Sequence, residues 1–73
     1  MEGKLWYNPE NDRFGLLGAD GEWIQDGLHC GDRLAVWIDG RWVPTRVEMT
    51  ADEAWYLVGL EGMTLQGLRA KEN

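Results

Sequence analysis

The 73-residue sequence predicts an all-β domain, a small and partly open barrel of roughly five to six short antiparallel strands. Three observations predict it. Apolar residues alternate with a period of two and do not recur at the helical 3.6. Turn-forming clusters fall about every eight to twelve residues, the spacing of small barrels and sandwiches. The composition is 44% hydrophobic with five Trp and ten Gly, too apolar and aromatic for a disordered tail. A chain of this length makes one domain, residues 1–73, near the lower size for a core held without disulfide or metal. Rolling the sheet also hides strand edges that so short a chain has no helices to cover.

In chain order, Lys4-Leu5-Trp6-Tyr7 is a short strand, and Asn8-Pro9-Glu10-Asn11-Asp12 is dense in turn formers. Arg13-Phe14-Gly15-Leu16-Leu17 is a second strand; Ala19-Asp20-Gly21-Glu22 turns again, and Trp23-Ile24 extends briefly. Asp26 to Asp32 is a loop rich in Gly. The clearest signal follows. Arg33–Ile38 and Arg41–Met49 flank Asp39-Gly40, the pair that a type I′ turn favours because both central residues need φ > 0. That loop sets Ile38 against Arg41, Trp37 against Trp42 and Val36 against Val43. Leu34, Val36, Ile38, Val43, Val47 and Met49 then share the core face, while Ala35, Trp37, Trp42, Pro44, Arg46 and Glu48 share the other. Pro44 marks an edge or a bulge, and a bulge would swap Thr45 and Arg46 between faces.

Thr50-Ala51-Asp52-Glu53 has capping-box spacing, but Trp55 follows too soon for a helix, so a single helical turn or a tight corner is expected. Trp55-Tyr56-Leu57-Val58-Gly59-Leu60 is apolar on both alternating sets, the pattern of a central strand covered on both sides. Glu61-Gly62 turns, Leu65 to Ala70 is a last strand kinked at Gly67, and Lys71-Glu72-Asn73 is expected to fray. Trp6, Trp37, Trp42 and Trp55 are the large side chains available to the core, each removing on the order of 150–250 Å² from water if buried.

Several classes are excluded or disfavoured. No window approaches the roughly 18–20 apolar residues of a membrane span. Met1-Glu2-Gly3-Lys4 leads straight into a strand with no apolar signal region, and a lone Cys30 forms no internal disulfide, so a cytoplasmic location is expected. Thirteen acids against seven bases leave a net charge of −6, which argues against binding duplex nucleic acid. No Gly-rich phosphate loop or catalytic triad can be assembled around one His, so no catalytic residue, cofactor or metal is assigned. His29-Cys30 joins an imidazole to a thiol, but neighbours in an extended segment point to opposite sides. A buried structural Cys beside a loop His is the expectation.

The candidate binding residues are Trp37, Trp42, Tyr56, Pro44 and Arg46. Two indoles opposed on the non-core face, beside Pro44 and Tyr56, form an aromatic patch. Such a patch can bind a peptide, stack single-stranded bases or hold a cation; as a cross-strand pair it can equally serve the fold. Residues 8–32 carry six acids against one Arg, readable as solvated turns or as a surface for a basic protein.

The segment Gly27-Leu28-His29-Cys30-Gly31-Asp32, with Gly40-Arg41-Trp42-Val43-Pro44-Thr45-Arg46-Val47-Glu48 and Trp55-Tyr56-Leu57-Val58-Gly59, resembles a family of very small bacterial proteins of unknown function. The likeness covers roughly residues 27–68 and implies a single-domain cytoplasmic protein, often carried by mobile elements, with no assigned activity. The hairpin pattern also looks like the opening of SH3-like and Tudor-like barrels, which bears on fold and little on function. The expectation is therefore a non-enzymatic protein-interaction module, a monomer or weak homodimer, engaging a protein partner through the aromatic face. The alternatives are an acidic inhibitor of a basic nucleic-acid-binding surface and a single-stranded nucleic-acid binder.

Overall fold

In the computed structural model, which describes residues 1–73, seven strands form: β1 (Glu2–Asn8), β2 (Arg13–Leu17), β3 (Trp23–Gln25), β4 (Arg33–Ile38), β5 (Arg41–Met49), β6 (Trp55–Leu57) and β7 (Arg69–Glu72). They make one antiparallel sheet that does not close, in the order β3-β2-β1-β7-β4-β5-β6. The all-β prediction holds, with one or two more strands than the turn count implied.

The Asp39-Gly40 reversal forms as its residue types require, with φ of 50° and 80°. β4 and β5 pair without a bulge from Ile38↔Arg41 through Trp37↔Trp42 and Ala35↔Pro44 to Arg33↔Arg46. Pro44 costs no register because β6 pairs β5 only at Val47, Glu48 and Met49, so at Pro44 the strand behaves as an edge. Arg46 therefore stays on the outer face.

Three expectations are corrected. Trp55–Leu60 is not a central strand: only Trp55–Leu57 pairs, at the sheet edge. The chain then turns through Gly59 and Gly62, both at positive φ, and that turning removes the rest from the ladder. The tight corner expected at Thr50 to Ala54 does form, closed by the Thr50 N–H on the Ala54 carbonyl at 2.9 Å. The last strand begins only at Arg69. Lys71 and Glu72 do not fray; they pair with β1 on one side (Glu2↔Lys71) and with β4 on the other (Leu34↔Glu72, Ala35↔Lys71).

The rolled sheet buries one face. Leu5, Leu16, Leu34, Val36, Val47, Leu57 and Ala70 line it, with Leu28 and Leu65 added from loops. The fully buried large side chains are Leu5, Leu57, Val36 and Val47, so the core is aliphatic and none of the five tryptophans is fully inside. Curling demands close backbone approaches: a Cβ on Gly15 would sit 2.5 Å from the Gln25 carbonyl oxygen and 2.8 Å from the Trp23 ring.

Two outcomes follow. Leu57→Ala is expected to lower the unfolding free energy by about 2–5 kcal/mol, read as a fall in the urea midpoint. Deleting residues 69–73 removes the only strand joining β1 to β4, so the truncated chain is expected to lose the β-sheet signal in far-UV circular dichroism and to expose its tryptophans. A truncated chain that still unfolds cooperatively would show that the two halves stand alone.

Candidate functional site: an aromatic and cationic sheet face

Trp37 and Trp42 are directly opposed on the outer face, as their register requires, in a T-shaped pair with ring centroids 5.2 Å apart. An edge-to-face indole pair contributes about 0.5–1.5 kcal/mol beyond its area burial. Both rings are half-buried, and what covers them comes from β7. Alternation on that strand sends Arg69 and Lys71 to the outer face. The Arg69 guanidinium lies 5.0 Å from the Trp37 ring and 5.4 Å from the Trp42 ring, and the Lys71 ammonium lies 4.5 Å from Trp42. Each cation sits on the electron-rich face of an indole. The patch is thus a cation-capped aromatic pair and not a bare apolar platform.

The same alternation continues into β1, where Lys4 opposes Arg69 and its ammonium lies 4.6 Å from the Trp6 ring. Trp6 is 37% exposed. At the far end of the hairpin, Arg33 and Arg46 are cross-strand partners. Arg46 Nε donates to Glu48 at 3.2 Å, whereas Arg33 has no carboxylate partner within ion-pair reach. These two arginines line a groove of about 200 Å³ with Pro44, Thr45, Val58 and Asn73.

Five of the seven bases (Lys4, Arg33, Arg46, Arg69 and Lys71) therefore share one face with only two of the thirteen acids, Glu2 and Glu48. That face carries +3, and the remaining two bases and eleven acids leave −9 on the rest of the molecule. Along the chain the bases look scattered; the strand order gathers them.

Of the residues expected at the site, Trp37, Trp42, Pro44 and Arg46 lie on this face. Tyr56 shares it only by register, opposite Glu48 at the β6 edge. Glu48 is six residues along β5 from Trp42, roughly 20 Å at about 3.3 Å per residue, so Tyr56 stands apart from the indole pair. Sequence reasoning missed Lys4, Trp6, Arg33, Arg69 and Lys71. The alternation at 4/6 and 69/71 was legible, but not the pairing that sets those strands beside β4.

The expectation of a buried Cys30 is corrected: it is exposed, in the turn between β3 and β4. The turn is closed by the His29 N–H donating to Asp32 Oδ2 at 2.8 Å, and the His29 ring faces Asp32 with Nδ1 3.9 Å away. Asp20 likewise accepts the Glu22 N–H at 3.1 Å, so part of the acidic lead-in shapes turns. A cavity of about 230 Å³ opens beside Leu5, Leu16, Leu28 and Leu34 on the core side, below the roughly 300–1,000 Å³ of small-molecule sites.

Arg69 also donates its Nε–H to Glu2 Oε2, and that hydrogen bond holds the Glu2 carboxyl below its ordinary value of 4.5. The Arg69 pKa rises for the same reason. A carboxyl depressed on folding contributes stability that is present above its unfolded value and is lost as the pH falls through the folded one. Urea midpoints measured below pH 4.5 are therefore expected to fall more steeply in the native chain than in Glu2→Gln, and parallel curves would remove the pair from the acid-side stability.

No protein of curated function matches the chain. A crystal structure of a protein from Ruminococcus gnavus, determined by a structural genomics consortium, is similar to it: 41% identical, covering 97% of this chain and 99% of that one, with a TM-score of 0.83. At that identity and coverage the open seven-stranded sheet is the fold the two share. The model of a domain of unknown function, DUF5348, matches residues 3–71, from the first strand through the last and including every cation and indole of the outer face; the chain belongs to that family.

Proposed function

We propose that the domain works by binding, and that its surface for doing so is the outer face of β1, β7, β4 and β5, which receives an extended partner of negative charge. The observation that carries this reading is the gathering of five bases and three indoles on one side of a protein whose net charge is −6. Like charges crowded on a sheet repel, so the arrangement works against the fold unless something offsets it. Within the chain, Glu2, Glu48 and the indole faces offset part of it. An anionic partner offsets the rest.

The cation caps also select among partners. A neutral proline-rich segment seeks open aromatic faces, but here Arg69 and Lys71 occupy them and would have to be displaced without compensation. An anion draws those same cations toward itself. This reading retains Trp37, Trp42, Pro44 and Arg46 from the surface expected from the sequence, leaves Tyr56 aside and adds a sign.

Heparin serves as a soluble polyanion for the test. Its addition at low salt is expected to change tryptophan fluorescence, with affinity falling as ionic strength rises. Reversing two charges of this face, the exposed Arg46→Glu with the half-buried Lys71→Glu, is expected to weaken binding at least about tenfold while the circular dichroism spectrum is retained, since tenfold corresponds to only about 1.4 kcal/mol. Unchanged fluorescence in the native chain, or equal binding by the folded double variant, overturns the proposal.

A further inference from the structure

Resting on that reading, we infer that the anionic partner is single-stranded nucleic acid, with bases stacking at Trp6, Trp37 and Trp42 and phosphates meeting Lys4, Arg69, Lys71 and the Arg33–Arg46 groove. The face interleaves two chemistries along three of its four strands: Lys4 with Trp6 on β1, Arg33 with Trp37 on β4, and Arg46 with Trp42 on β5. A single strand offers both complements along its length, flat bases and regularly placed phosphates. An acidic peptide offers carboxylates without π-faces. A duplex keeps its base faces in the stack and offers the indoles only groove edges and phosphates, so the aromatic half of the face would go unused.

The groove supplies the second argument. Arg33 and Arg46 are directly opposed, a like-charge pairing that is unfavourable in an isolated sheet, and Arg33 lacks a carboxylate. Guanidinium groups bind phosphate oxygens in bidentate geometry, so a phosphate between the two turns repulsion into attraction. Thr45 is committed elsewhere, its hydroxyl donating to the Val58 carbonyl at 2.8 Å, which leaves the two arginines, with Asn73, as the polar side chains of the groove.

Distances along the hairpin suit a short run of nucleotides. Four residues separate Arg33 from Trp37 and Trp42 from Arg46, roughly 13 Å in each strand at about 3.3 Å per residue. A phosphate held at the groove and a base stacked at the indole pair then belong to different nucleotides of one extended strand. As a base approaches, Arg69 and Lys71 leave the ring faces for neighbouring phosphates, so each cation–π contact is exchanged for a stack and an ion pair. The −9 elsewhere repels the same backbone and confines it to this face.

The test compares four probes on the whole chain: a fluorescein-labelled single strand of about ten nucleotides, its duplex, an abasic phosphodiester of equal length, and polyglutamate. The single strand is expected to bind with tryptophan quenching and a log–log salt slope of about −2 to −4, as three to five neutralised phosphates require. The duplex and the abasic strand are each expected to bind at least about tenfold more weakly. Arg33→Glu is expected to weaken the single strand and make the slope shallower by about one contact. Trp42→Ala is expected to cost about tenfold or more; because Trp42 is half-buried, the more exposed Trp6→Ala supplies the same reading in a variant that keeps the hairpin. If the abasic strand, the duplex or polyglutamate binds as tightly as the single strand, the nucleic-acid assignment is overturned while the anionic-partner reading stands. If neither the single strand nor heparin binds, both fall.

Discussion

Four residues, Arg69 to Glu72, hold the sheet together. Three strands lie on one side of β7 and three on the other, and no other strand pairs across that boundary. On its inner side Ala70 is fully buried between Gly3 and Val36, where the small side chains let the two halves approach as the sheet curls. On its outer side Arg69 and Lys71 reach over the indoles of the neighbouring hairpin, and Arg69 pairs with Glu2. One short strand thus joins the core and assembles the charged face. Whatever acts on the sheet acts on the surface.

The division of labour between aliphatic and aromatic residues follows from that curvature. The inner face of a tightly rolled sheet is narrow, and Leu and Val fill it in well-defined rotamers without a polar atom to satisfy. An indole brings an N–H that needs a partner when buried, so it fits better where one edge stays wet. Trp55 packs against the core from the edge strand, Trp23 lies over Gly15, and the remaining three stand on the outer face. Ala35 shows how well that face is covered: it points outward between Pro44 and Lys71 yet is only 4% exposed. The long stems of the charged residues cover apolar surface while their heads remain in water.

Local chemistry was legible from the residues. Asp39-Gly40 dictated the turn, the turn dictated the Trp37–Trp42 register, and the boundaries of β2 followed from the turn formers around it. What could not be read is what depends on partners distant in the chain. Lys71 and Glu72 look like a fraying tail until Glu2 and Leu34 are placed on either side of them. Trp55 to Leu60 looks like a central strand because a run apolar on both faces is equally consistent with an edge whose loop covers the core. For the site, the hairpin residues were legible because one turn determines them. The cations from β1 and β7 were not, because strand order is a property of the whole fold. Cys30 was misplaced for a related reason: the Gly-bounded loop around it is drawn outward by the His29–Asp32 turn, and no apolar periodicity marks the difference.

The central position of the final strand has a consequence for how the molecule comes into being. Glu2 meets Lys71, a pairing between opposite ends of the sequence, so the ribosome must release nearly all of the domain before the first and second halves can be stitched. Until then two three-stranded fragments present raw edges at β1 and β4, the kind of edge that recruits other chains. Two of the six strand pairings, β1 with β7 and β4 with β7, join elements distant in the chain, and such pairings slow folding. Lys4 on one flank of that gap and Arg33 on the other place charge at those edges, a feature that opposes edge-to-edge pairing.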